Sequence, residues 1–148
     1  AWASIATRTH SDIQIQAKNQ DCTPSGYCLD FRLSGGIEKG GGVTYLNKCN
    51  GNVGQLWSIN TDGTIQSKFG DLCLASPFTG NEQKVYVNPC DKKTTPDLWQ
   101  VRGDGTIMSR FANKCLDNRG QLLVKENQIQ VYDCINAWSE KWLIGEIP

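Results

Sequence analysis

The stretch GQLWSI, residues 54–59, decides the fold because it returns twice, as PDLWQV at 96–101 and as SEKWLI at 139–144. Trp57, Trp99 and Trp142 stand 42 and 43 residues apart. The cysteines keep the same beat: Cys28, Cys73 and Cys115 open three units, and Cys49, Cys90 and Cys134 close them. A period of about 40 residues marks a repeated supersecondary unit that cannot bury its apolar side alone. Three copies set around one axis can share a core.

Outward from the tryptophans, each unit shows the same order of signals. Thr61-Asp-Gly-Thr64 and Gly103-Asp-Gly-Thr106 carry Asp-Gly between alternating apolar residues, a hairpin signal because the turn needs positive φ. Ile65-Gln-Ser-Lys68 and Ile107-Met-Ser-Arg110 follow, then Cys-Leu with Asp30, Ala75 or Asp117. A strand of period-two alternation runs into the second cysteine: Val43-Thr-Tyr-Leu46, Val85-Tyr-Val87 and Ile129-Gln-Val-Tyr132. Ile15-Gln-Ala-Lys18 begins the first unit, which has nine residues between Lys18 and Cys28 where the others have four. This five-residue insertion holds Cys22, the seventh cysteine. Helix signals are nearly absent and turns recur every 8–12 residues, an all-β pattern. Three units of four short strands predict twelve strands in a short barrel capped by hairpins, with pseudo-threefold symmetry. The tryptophans are expected at the base of each unit, since an indole contributes through its buried area.

The 148 residues read as one domain, 1–148, with units at about 13–59, 60–101 and 102–144. A chain of this size buries roughly 70% of its unfolded surface and needs no metal or partner to fold, and no cofactor is expected. Fifteen basic and fifteen acidic residues cancel and form no block, which speaks against nucleic acid as partner. No apolar run of 18 residues predicts a transmembrane segment, and any signal peptide is expected to have been removed already. The repeat pairs Cys28 with Cys49, Cys73 with Cys90 and Cys115 with Cys134, closing spans of 21, 17 and 19 residues. Metal-type cysteine spacings do not occur, so disulfides and a secreted or other oxidising compartment are expected. Cys22, left over, is open to three readings: a bond to a partner chain, a free or buried thiol, or a disulfide-linked dimer.

Cys-Leu-Asp, the alternating strand into a second cysteine, and Gln-x-Trp or its remnant, repeated three times over about residues 13–144, resemble the ricin B-chain type β-trefoil lectins. Gln55-Leu-Trp57 keeps the motif whole, whereas Asp97-Leu-Trp99 and Glu140-Lys-Trp142 keep only the tryptophan. The resemblance implies a β-trefoil that binds galactose, N-acetylgalactosamine or related sugars in shallow pockets, on glycans or glycoproteins. It implies an aspartate after Cys-Leu accepting from two hydroxyls, an aromatic ring two residues before the second cysteine, and a polar side chain, often Asn, before the motif glutamine. A saccharide has one C–H face and a rim of hydroxyls, so a flat ring, an acceptor and an amide match it.

Measured against that pattern, the third unit is best equipped: Asp117, Tyr132 with Gln130 on the same strand face, Asn136 in the next loop, and Ser139 where Asn is common. The plainer alternative has Asp117 bracing a turn and Tyr132 packing on the surface. The first unit offers Asp30, Tyr45 and Asn47 beside the Gly-rich loop 35–42, but Gly54 precedes Gln55, and the loop reads as a connector. The second unit, with Ala75 and Asn88, reads as structural.

Catalysis finds little support. His10, the sole histidine, has Ser11 and Asp12 as sequence neighbours, and a triad must converge from separate elements. Asp62 and Asp104 are turn residues rather than a glycosidase pair. Two functions stand: a carbohydrate-binding domain, free or as the targeting module of a toxin or enzyme, and a trefoil that has lost sugar binding and serves as a protein-interaction or inhibitor module.

Overall fold

The computed structural model describes residues 8–37, 39–90 and 95–146. Among them the regular elements are thirteen strands and four single-turn 3₁₀ helices. The strands are β1 (His10–Lys18), β2 (Pro24–Gly35), β3 (Gly42–Lys48), β4 (Trp57–Ile59), β5 (Ile65–Ser67), β6 (Leu72–Ala75), β7 (Gln83–Lys84), β8 (Tyr86–Pro89), β9 (Trp99–Val101), β10 (Ile107–Ser109), β11 (Lys114–Asn118), β12 (Ile129–Tyr132) and β13 (Trp142–Glu146). The expected twelve become thirteen because one strand splits at Val85. Its N–H bonds the Ile129 carbonyl, so β7 pairs with β12 while β8 pairs with β3 and β6.

The strands pair as the repeat demands. Trp57 lies opposite Ser67, Trp99 opposite Ser109 and Trp142 opposite Ala17. Gln66, Met108 and Gln16 lie opposite Cys73, Cys115 and Cys28. The hairpin partner of β1 is therefore the last strand, β13, and the larger sheet closes through a further β1–β4 pairing.

The tryptophans are buried, and each does the same work. Trp57 Nε1 donates to the Leu29 carbonyl at 3.2 Å, Trp99 Nε1 to Leu74 at 2.9 Å, and Trp142 Nε1 to Leu116 at 3.0 Å. Each indole thus ties the end of its unit to the Cys-Leu step, satisfying its one polar atom while the ring fills the core. Around them pack Ile15, Leu29, Leu46, Ile65, Leu74, Ile107, Leu116 and Ile129. The three disulfides stay within units, Cys28–Cys49, Cys73–Cys90 and Cys115–Cys134.

The insertion in the first unit is a self-contained turn. Asn19 N–H donates to the Thr23 carbonyl, and Thr23 donates from N–H and hydroxyl to Asp21 Oδ1. The hairpin turns use the same pattern, Thr64 on Asp62 and Thr106 on Asp104. Cys22 occupies the place of Gly63 and Gly105, with φ of 69° against 95° and 92°, and its thiol is free and exposed.

Candidate functional site

The register places the residue after each Cys-Leu pair opposite a strand neighbour two or more positions before the second cysteine: Asp30 opposite Tyr45, Ala75 opposite Tyr86, and Asp117 opposite Gln130. Where an aspartate stands there, it is buried, and its lone pairs are directed by fixed donors.

In the third unit Asp117 is 7% exposed. Its Oδ2 accepts from Gln130 Nε2 at 2.8 Å and its Oδ1 from Ser139 Oγ at 2.6 Å. Ser139 sits on the 3₁₀ turn Trp138–Glu140, which leads into β13. Burial raises the Asp117 pKa above its ordinary value, against the opposing pull of the Ser139 and Gln130 hydrogen bonds. Asp117, Gln130, Tyr132 and Ser139 line one open depression of about 310 Å³. Ile135 and Ala137 add apolar lining. Tyr132 is half-buried, with its ring on this wall. Four of the five residues expected from the sequence therefore converge. Asn136 does not: it is exposed, with φ of 61°, and lies outside the lining.

Two contributors carried no sequence signal as site residues. Glu82 reaches the depression from the second unit, whose loop is fastened across by Asn81 Nδ2 donating to Asp133 Oδ2 at 3.0 Å and Asp133 N–H donating to Asn81 Oδ1 at 2.8 Å. Such contacts between units leave no mark on spacing within one. Glu140, 1% exposed, stands where the first unit has Gln55. Its carboxyl is pushed up to about 7 by burial, with the Asp117 charge adding to the shift.

The first unit brings Asp30, Tyr45 and Asn47 together in a wider depression of about 450 Å³. Asp30 Oδ1 accepts the N–H of its own neighbour Phe31 at 2.7 Å. Its Oδ2 accepts from Gln55 Nε2 at 3.1 Å and Asn47 Nδ2 at 3.3 Å. Asn47 Oδ1 in turn accepts the Lys48 N–H, so both ends of that amide are spent internally. The Arg32 guanidinium lies 5.3 Å over the Tyr45 ring and covers one face. Phe31, Val53 and Phe69 make the wall mainly apolar.

The second unit has no carboxylate at this point. Ala75 is fully buried, and Phe78 packs edge-on against Tyr86 with ring centroids 6.4 Å apart. No group of three or more His, Cys, Asp or Glu side chains that could hold a metal occurs among the described residues, and no described helix is long and apolar enough to cross a membrane.

The architecture and the recurring Cys-Leu-Asp cradle are those of a trefoil binding module. The model of the ricin-type beta-trefoil lectin domain matches residues 15–142, and the chain belongs to that family. Among solved structures it is similar to a non-toxic homologue of type II RIPs from Momordica charantia (bitter gourd) in complex with α-methyl-D-galactoside, with 21% identity and a TM-score of 0.74 over 94% of this chain and 48% of that one. It is also similar to the agglutinin from Abrus precatorius (20% identity, TM-score 0.72, 92% of this chain and 49% of that one). The earthworm R-type lectin C-half in complex with GalNAc matches over nearly its whole length (20% identity, TM-score 0.68, 92% and 99%). The chain thus spans about half the length of the first two. No curated protein sequence matches it.

Proposed function

We propose that residues 1–148 form one lectin domain that binds glycans of the galactose or N-acetylgalactosamine type through the third unit. The domain acts by binding rather than catalysis, in a secreted or otherwise oxidising setting, free or as the targeting module of a larger toxin or enzyme. The observation that carries this reading is Asp117, a buried carboxylate aimed by Gln130 and Ser139 in the same depression as the Tyr132 ring. Asp117 accepts from two sugar hydroxyls with its remaining lone pairs, Tyr132 lies against the C–H face of the ring, and Gln130 supplies amide contacts. Family membership and the sugars named with the bitter gourd and earthworm structures support it.

The first unit, with Asp30, Tyr45 and Asn47, is the weaker site, because its donors are turned inward. A single open pocket of this kind holds a monosaccharide at about 0.1–1 mM, or roughly 4–5.5 kcal/mol. Useful avidity then comes from further copies or an attached partner. Cys22, exposed at the tip of the inserted turn, is accessible for an interchain bond to such a partner. A glycan array with wild type and Asp117→Ala tests the reading. Retention of galactose- or N-acetylgalactosamine-terminated glycans by the wild type, and its loss in the variant, is the expected result. Retention of no glycan, or equal retention by both proteins, would sink it.

A further inference from the structure

The residue two places before each tryptophan is Gln55, Asp97 or Glu140, and all three are buried. Gln55 uses both ends of its amide. Its Oε1 accepts from the Asn50 N–H at 2.9 Å, and its Nε2 donates to the Lys48 carbonyl at 2.8 Å and to Asp30 Oδ2 at 3.1 Å. Glu140 repeats the first half of this arrangement. Its Oε1 accepts from the Ile135 N–H at 3.0 Å, and Ile135 follows Cys134 as Asn50 follows Cys49. Its Oε2 is buried and has no hydrogen-bond partner.

By the same correspondence, Oε2 takes the place of Gln55 Nε2. The groups that Nε2 serves, the aspartate after Cys-Leu and the carbonyl before the second cysteine, are in the third unit Asp117 and the carbonyl of Asp133. Both are acceptors. An ionised Glu140 would set an acceptor against acceptors in a buried site, an arrangement that costs the full desolvation of the unpaired group. One proton on Oε2 gives Glu140 one of the two donors that Gln55 Nε2 supplies, enough for one of these acceptors.

We propose that Glu140 works as a neutral acid that donates from Oε2 to the Asp133 carbonyl, as Gln55 Nε2 does to that of Lys48, and leaves Asp117 as the single buried charge with its remaining acceptors free for ligand, so that binding at the third unit weakens when Glu140 ionises. The proposal rests on the saccharide reading of that unit and adds a protonation requirement to it.

The proton belongs on Glu140 rather than Asp117, because both Asp117 oxygens already accept, from Gln130 and Ser139, while Glu140 Oε2 is unmatched. Burial first, and then the Asp117 charge, push the Glu140 carboxyl up to about 7 against the opposing pull of the Ile135, Ala137 and Asn136 N–H groups. Among the described residues no cation offsets this. On β11, Lys114 is paired with Asp133 at 2.8 Å. In the turn after β11, Arg119 donates to Gln128 at 3.3 Å. On β1, Asp12 pairs with Lys68, Lys18 Nζ lies by the Gly105 turn, and His10 stands at the far end of the strand. Lys141 donates to the Asp104 carbonyl at 3.0 Å, and Glu82 lines the same depression. Of these groups Asp117 alone acts on the Glu140 carboxyl.

The sign follows. An unfolded glutamate releases its proton near 4.5 and folded Glu140 holds it to about 7. The stabilisation is complete below that window and is lost as pH rises through it. Apparent affinity scales with the fraction of binding-competent molecules, so it falls about tenfold between about pH 6 and about pH 8.

Two measurements on the full chain, wild type and Glu140→Gln, test the proposal. With carbon-13 in the glutamate carboxyls, NMR follows the five glutamates. One signal, missing in Glu140→Gln, should titrate near 7, and an ordinary midpoint for that signal overturns the proposal. Calorimetry with α-methyl-D-galactoside should show the wild type weakening about tenfold from about pH 6 to about pH 8. Glu140→Gln, with its permanent donor, should bind more tightly than the wild type by about tenfold at the higher pH. Wild-type affinity that is flat across that range also overturns the proposal. Absence of binding by both proteins at every pH overturns the saccharide reading instead, and the NMR midpoint still decides the state of Glu140.

Discussion

The first and third units share a tryptophan, a disulfide and a buried aspartate after Cys-Leu, yet they treat the carboxylate differently. Asp30 is held by Phe31 N–H, Asn47 and Gln55, three donors that belong to the scaffold. Asp117 is held by two, Gln130 and Ser139, so one more of its acceptor positions stays open. A repeated Cys-Leu-Asp thus fixes where a carboxylate sits, and the residues around it decide whether the acceptor is spent inward or left for a ligand. An ionised carboxylate offers about four acceptor positions, so each donor the scaffold adds removes one from a hydroxyl.

The comparison breaks first if the two scaffolds prove unequal. Trp57→Ala and Trp142→Ala each remove a buried indole with one hydrogen bond to a Leu carbonyl. Each should cost about 3–5 kcal/mol in denaturant unfolding with disulfides intact. Costs differing by more than that spread would mean that the units do not bear on one core equally.

A smaller effect tests the position before the motif. A Cβ on Gly54 would stand 2.8 Å from Asp30 Oδ1, whereas Ser139, at the matching place, donates to Asp117. Gly54→Ser should therefore destabilise by about 1–3 kcal/mol through overpacking against a pinned side chain. Ser139→Gly should cost only about 1 kcal/mol of stability, the worth of one hydrogen bond, and lower glycan retention by loosening Asp117. If Gly54→Ser is tolerated and creates retention by the first unit, the inward-turned cradle is not what weakens that unit.

Much of this could be read from the residues themselves. The period of the tryptophans and cysteines set the units, the disulfides and the register, because each indole needs an acceptor and each Cys-Leu step supplies one 28, 25 or 26 residues earlier in the chain. The alignment of Ile15-Gln-Ala-Lys18 with Ile65-Gln-Ser-Lys68 also holds, since Gln16 and Gln66 face matching cysteines. What was not legible lies between units or in local conformation. Glu82 and Phe69 enter their depressions from the second unit, across contacts that no spacing records. The break at Val85 follows from a bond to Ile129 more than forty residues away. Glu140 reads in sequence only as a lost glutamine; its meaning emerges from the empty hydrogen-bonding place of Oε2.

Asn136 provides the smallest and sharpest contrast. In sequence it is an amide near a binding loop, a natural partner for a hydroxyl. In space it lies two residues beyond Cys134, as Gly51 lies two beyond Cys49, and both take the left-handed conformation, with φ of 61° and 73°. Asn tolerates that region better than other side chains because its short amide bonds locally. This accounts for the residue through the turn alone. Asn136→Gly should then change stability by less than about 1 kcal/mol, relief at positive φ being offset by the freer unfolded chain. Glycan retention should stay at the wild-type level, whereas Asn136→Ala should lose about 1 kcal/mol of stability and no ligand contact. If Asn136→Gly melts normally but retains less glycan, the amide reaches the ligand after all. The turn would then move on binding, and the third unit would owe its advantage over the first to a mobile loop rather than to the carboxylate held by Gln130 and Ser139.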